Sequence, residues 1–342
     1  MAIRETVKRH APAALRILAV AAAYYAAARF GLLLAVVRGQ VTPLWPPTGI
    51  AMFALLVWGL RTWPGITLGA LLVNLPIGPS VPDVLVIAAG NTAAPVAAYL
   101  LLSRTGFRPE LVRLRDALAL VFFGALGGTL ISATVGSLAL VRAGAVPTAE
   151  FWATWSVWWT GDAMGVLIVT PLLLVARTVR WPVFRTPYRW IEAVALLGST
   201  IAATVLITNS RLPMLFLVFP FLIWAALRFQ QLGATPCAFV VSTVTIFAVA
   251  HGSSQFASLG AVQQMVALQA FNGTVALTAL LLSALVAERN QAHRTIQKAV
   301  GQLSDALARQ VVDRTLLRGP LLGATSPTNP ASAGPVDPAR QD

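Results

Sequence analysis

Charge is what this 342-residue chain has least of: 11% of its residues are charged, and only 12 are acidic. A water-soluble domain needs about a quarter of its residues charged to cover its surface, so a globular cytosolic enzyme is excluded. Cysteine is nearly absent, with Cys237 alone inside an apolar run, which rules out a disulfide framework and a thiolate metal set. The three histidines, His10, His251 and His293, are scattered. No metal centre, cofactor or catalytic His box is implied, and the chain reads as no enzyme. A net charge of +13 raises nucleic acid as a partner, but the cations lie on scattered loops without an aromatic-interleaved patch, so that reading is rejected.

What fills the chain instead is apolar sequence: 57% hydrophobic residues and a mean hydropathy of +0.74. A spanning helix needs about 20 mainly apolar residues. Ten runs qualify or come close: 13 to 37, 46 to 60, 63 to 78, 84 to 103, 116 to 141, 151 to 176, 191 to 208, 213 to 227, 232 to 250 and 266 to 287. The expected fold is an all-α polytopic membrane bundle of about ten segments, with the lipid bilayer as its surroundings. The pair 46 to 78 is short enough to form a re-entrant hairpin, which would leave eight spans. The N-terminal run is basic at its start like a signal peptide, yet about 25 residues long, so it reads as an uncleaved first helix.

Lys and Arg concentrate in cytoplasmic loops. With ten alternating crossings, 20 of the 25 basic residues fall on one face, against Arg38, Arg142 and Arg211 on the other. Both termini are therefore expected in the cytoplasm, in the inner membrane of a bacterium.

Eleven of the twelve acids sit at segment ends, in loops or in the tail; Asp162 lies deep within FWATWSVWWTGDAMG. A charge at that depth costs several kcal/mol unless paired or hydrated, about 3 on insertion scales, and marks a functional site by default. Helical spacing puts Trp155, Trp158, Trp159 and Asp162 on one face. Arg29 is the basic residue inside a span at similar depth, about 12 Å from the outer end against about 16 Å for Asp162. It is the expected ion partner, in a pair that either fixes helix order or faces a ligand in a wet outer-half pocket; a proton path is the third option. Asn91 and Asn74 add amides to the outer half.

Small-residue spacing G-x-x-x-G recurs at Gly65 and Gly69, Gly124 and Gly128, and Gly161 and Gly165. Such stripes let helices approach closely, within the monomer or in a homodimer. Pro46, Pro47 and Pro64 suit the first turn of a helix, where a missing N–H costs nothing. With Trp45, Gly49 and Trp63 they define the entries of a short rigid hairpin, whose outer end is expected to roof the pocket.

The combination of WPPTGIA, the GN of the fourth run, SATVG, WWTGDAMGVLIVTPLLL and ALTALLLSALVAER resembles the first class of the membrane-associated sensor (MASE) family, over about residues 15 to 290. The resemblance implies a sensory input module usually fused to a kinase, a cyclic-di-GMP cyclase or phosphodiesterase, or a phosphatase. It implies that Trp45, Pro46, Pro47 and Gly49 form the family's outer-turn motif, and that Asn91, Gly161 and Asp162 match its intramembrane polar positions.

The chain is thus expected to divide into a cytoplasmic N-terminus (1–12), a membrane sensor (13–287), an amphipathic signalling helix (288–318) and a disordered tail (319–342). Ile296, Val300, Leu303, Leu307 and Val311 give that helix a 3.6-residue apolar period. A kinase, cyclase or phosphatase acting in trans is the expected signalling partner. A secondary transporter or channel for a small solute is the alternative reading.

Overall fold

The computed structural model of the protein describes residues 2–33, 42–179, 187–210, 214–251 and 261–317. The expected tail, 319–342, and the loop residues Arg38 and Arg211 lie outside the described residues.

Every element among the described residues is helical. We number them α1 (Ala2–Leu33), α2 (Pro46–Trp58), α3 (Trp63–Asn74), α4 (Val81–Arg104), α5 (Leu114–Arg142), α6 (Thr148–Thr178), α7 (Pro187–Asn209), α8 (Phe219–Phe229), α9 (Gln231–Ala250) and α10 (Ala261–Leu317). Seven of these are long and apolar enough to cross a membrane. The ten segments expected from sequence correspond to ten elements, but α2, α3 and α8 are only 13, 12 and 11 residues long. At 1.5 Å per residue each covers about 20 Å or less, short of the roughly 30 Å hydrocarbon core.

Chemistry explains the short pieces. Pro46 and Pro47 open α2, Gly59 ends it with a positive φ of 80° that a side chain would resist, and Pro64 starts α3. A single 3-10 turn, Leu60–Thr62, carries Arg61 between them. The segments 46 to 60 and 63 to 78 are thus two short helices that end at Trp58 and Asn74.

The described residues fall into two units, one up to Asn290 and one from Gln291 on. Within the first unit, Val20, Tyr24 and Ala28 of α1 pack with Ala51 and Leu55 of α2, Ile66 and Ala70 of α3 and Ala88 of α4. A central core joins Met52, Leu120, Val166 and Ile246 to Leu268, Ala276 and Leu280 of α10. A third cluster ties α7, α8 and α9 to Val275 and Ala279 on another side of α10.

The G-x-x-x-G stripes pack inside the chain. Gly65 meets Ile17 and Val20, Gly69 meets Tyr24, and Gly128 meets Ala94 and Ala98. Polar contacts gather the ends consistently. Asp83, at the start of α4, pairs with Arg142 at the end of α5. At the other end of α5, Leu114 N donates to Glu288 Oε2 at 2.8 Å, and Asp116 accepts two bonds of 2.7 Å from Arg113.

In the second unit residues Gln291 to Leu317 are helical, where the signalling helix is expected. Ile296, Val300, Leu303 and Leu307 are all exposed.

Candidate functional site

The site is built around backbone that is not helical. The lead-in Thr42–Trp45 runs across α6 at Gly161 and Gly165, and Trp45 N donates to Gly161 O at 3.0 Å. A Cβ on Gly161 would fall 2.5 Å from Thr42 O; one on Gly165 would collide with Trp45 O, and one on Gly49 with Gly165 O. Backbone lies on backbone here, and only glycine permits it. Just past the crossing, α6 takes a π-helical stretch, Gly165–Val169, and Thr170 Oγ1 donates to Gly49 O at 3.1 Å. The lead-in and the start of α2 are thus fastened to α6 at both ends of the crossing.

This docking delivers Thr48 to Asp162. Thr48 Oγ1 donates to Asp162 Oδ1 at 2.5 Å, and Ser132 Oγ from α5 donates to Oδ2 at 2.5 Å. The carboxylate is 1% exposed. The indole of Trp158 also faces it. Hydroxyl-to-carboxylate bonds of this length are the charge-assisted kind, stronger than neutral ones.

Beside the carboxylate is a cavity of about 50 Å³ lined by Thr42, Trp45, Asn74, Ile77, Asn91, Trp158, Gly161 and Asp162. Asn74, Ile77 and Trp158 are only half-buried, so the cavity opens past the turn between α3 and α4. Its size admits a few waters or a ligand of a few heavy atoms, and falls far below the roughly 300–1,000 Å³ of drug-sized pockets.

From α1, the Tyr24 hydroxyl reaches the same region. It faces Trp45, Asn91 and Asp162; the residue is 1% exposed, and the hydroxyl makes no hydrogen bond of good geometry.

Of the eight residues expected at the site, Trp45, Asn74, Asn91, Trp158 and Asp162 line the cavity together. Asn74 spends its amide N–H on Ala70 O at 2.8 Å, which leaves its carbonyl for the cavity.

Arg29 does not join them, which corrects the expected ion pair. The buried face of α1 is Val20, Ala21, Tyr24, Ala28 and Gly31. Arg29 follows Ala28 by one residue, about 100° around the helix, and is exposed. Among the described residues, Asp162 has no cation within ion-pair distance; the described pairs are Arg113–Asp116, Arg142–Asp83 and Arg228–Glu192.

Trp155 and Trp159 also leave the cavity. They stack on each other at 5.5 Å and 25° and donate to α5, to Thr134 Oγ1 at 3.0 Å and Leu126 O at 2.9 Å. Trp158 instead lies over Gly136 of α5, where a Cβ would strike its ring.

Sequence reasoning missed Thr48, Ser132 and Tyr24. Ser132 lies in SATVG and Thr48 in WPPTG, where a hydroxyl among small residues and prolines gives no local sign of turning towards an acid on another helix.

A last contact joins the site to the final helix. Gln269 Nε2 of α10 donates to Pro43 O at 3.1 Å. One turn further along, Asn272 is fully buried with both amide atoms unpaired.

Comparisons with known proteins give the family. The MASE1 family model matches residues 16–290. The chain is 28% identical over 231 residues to the probable diguanylate cyclase DgcE of Escherichia coli (strain K12), a match covering 64% of this chain and 20% of that protein. The chain therefore spans about a fifth of the length of that relative. No solved structure matches it. With the family model covering most of the helical bundle, the chain belongs to the MASE1 family of membrane sensory domains.

Proposed function

We propose that this chain is a signal input module of a bacterial inner membrane, with both termini cytoplasmic. A small ligand entering the Asp162 cavity from the outer side changes how the lead-in 42–49 sits on α6, and α10 carries the change to a signalling output. The observation that carries the reading is the hydrogen bond from Gln269 to Pro43 O, because Pro43 is two residues from cavity-lining Trp45 and Gln269 lies on α10, the last helix of the first unit.

The basic residues favour this orientation, and the cavity, lined by Asn74 and Ile77 at the turn between α3 and α4, then lies towards the outer side. A cyclase output is supported by the similarity to the probable diguanylate cyclase of E. coli; a kinase or a phosphatase reached through the same helix fits the same relay. A ligand shifts such an equilibrium only by its differential affinity for the two packings. The lead-in supplies the difference, since it forms part of the cavity wall and is bonded both to α6, through Trp45 N, Thr48 and Gly49 O, and to α10, through Pro43 O.

The test is a chimaera in which residues 1–310 replace the matched region of the E. coli cyclase. Gln269→Leu and Asp162→Asn are expected to change cyclic-di-GMP output several-fold at equal membrane abundance. Unchanged output in both variants would refute the relay. Deleting residues 288–318 from the full chain is expected to leave membrane insertion intact.

A further inference from the structure

We infer that the Asp162 cavity binds a small monovalent cation, of ammonium or methylammonium size; this rests on the sensory reading above and names its ligand. The first ground is charge. Asp162 is buried at 1% exposure, and among the described residues no Lys, Arg or His lies within 4.0 Å of it. Two hydroxyl donors solvate the carboxylate but bring no positive charge, and an unneutralised anion within a bundle is costly. An anionic ligand would add to that cost, and a neutral one would leave it in place.

The second ground is the lining. Trp45 and Trp158 bring two aromatic side chains to the wall, the residue type that favours cations. Asn74, whose amide N–H is spent on Ala70 O, and Asn91 add amide groups to the wall, and behind the lining the buried Tyr24 hydroxyl, without a hydrogen bond of good geometry, lies near Asp162 and Asn91. A buried hydroxyl left without a partner is uncommon, and its oxygen is free to accept from an N–H donor seated against Asp162. The Asp162 oxygens retain lone pairs beyond the two already used.

The third ground is size and valence. About 50 Å³ accepts a cation of one or two heavy atoms with a water. Divalent cations prefer six or more oxygen ligands, usually with several carboxylates. The cavity offers one carboxylate, so a monovalent ion is the better match.

The experiment uses the full chain in lipid nanodiscs, following thermal unfolding as methylammonium chloride is titrated against sodium chloride and tetramethylammonium chloride at matched ionic strength. Binding to the folded state raises the melting temperature in a saturable way. The expected result is a saturable rise with methylammonium, none with tetramethylammonium, and loss of the rise in Asp162→Asn.

Because Asp162→Asn could unfold, Tyr24→Phe is measured in parallel. Removing an unpaired hydroxyl leaves the ligand-free melting temperature unchanged or higher, and is expected to weaken methylammonium binding at least three-fold. No saturable rise in the wild type, or an equal rise in either variant, overturns the ligand class. The sensory reading fails separately: methylammonium that binds yet leaves the chimaera's output unchanged defeats the relay and keeps the site. Output that responds to Asp162→Asn without methylammonium binding keeps the relay and discards the cation.

Discussion

Thr48 and Ser132 each give one hydroxyl to a carboxylate that has no other described charge partner. Bonds to charged groups contribute about 1.5–3 kcal/mol each, so Thr48→Val and Ser132→Ala are each expected to destabilise the folded chain by roughly that amount. Because both serve one group, the double variant should depart from the sum of the single losses; melting of the three proteins in nanodiscs measures this. Arg29→Gln, by contrast, is expected to leave melting unchanged. A loss above about 1 kcal/mol would return Arg29 to the site. Asn272→Leu should raise the melting temperature, since it replaces two unpaired buried amide atoms with an apolar group of similar size. At this scale the sequence disclosed the carboxylate, since an acid in the middle of an apolar run stands out by composition. It did not disclose the partners. Threonine and serine are ordinary in membrane helices, where they bond the carbonyl four residues back, as Thr200, Thr204 and Thr208 do here. Only the fold separates those from the two hydroxyls that turn towards Asp162.

Elements were more legible than side chains. Proline at N1 and glycine past the end are local signals, and they located the entries of α2 and α3 directly. The glycine pairs signalled close approach, though not their partners: the stripe at Gly161 and Gly165 receives an extended segment rather than a helix. That geometry predicts a steep penalty. Gly165→Ala would drive a methyl group into Trp45 O, a backbone atom that cannot turn aside, and overpacking of this kind costs about 1–3 kcal/mol or more. Gly198→Ala, on α7 with open space around it, should instead be neutral or slightly stabilising. Comparing folded yield and melting of the two variants checks the contrast. The Trp face of α6 was misjudged because a helix with neighbours on two sides divides one sequence stripe between them. Trp158 turns to the cavity, and Trp155 and Trp159 to α5.

For the whole molecule, composition alone dictated a membrane bundle, since no water-soluble fold could cover its surface with so few charges. The distribution of basic residues adds a direction. With Cys237→Ser as background, a single cysteine at position 104 is expected to react only after the inner face is opened, and one at position 142 to react from outside in intact cells. The reverse labelling would invert the topology. The number of full crossings was less legible, because hydropathy measures greasiness while a span also needs length, and α2, α3 and α8 have the first without the second.

The cavity walls and the groups facing them all come from residues 24 to 162, while α7, α8 and α9 contribute none of its lining. On the proposed reading, recognition is confined to the front half of the chain, and Gln269 touches that half through a main-chain oxygen whose chemistry does not depend on the side chains around it. Mutation can rework what is recognised without redrafting the coupling, and front halves exchanged between relatives should bring their own ligand preference to an unchanged final helix.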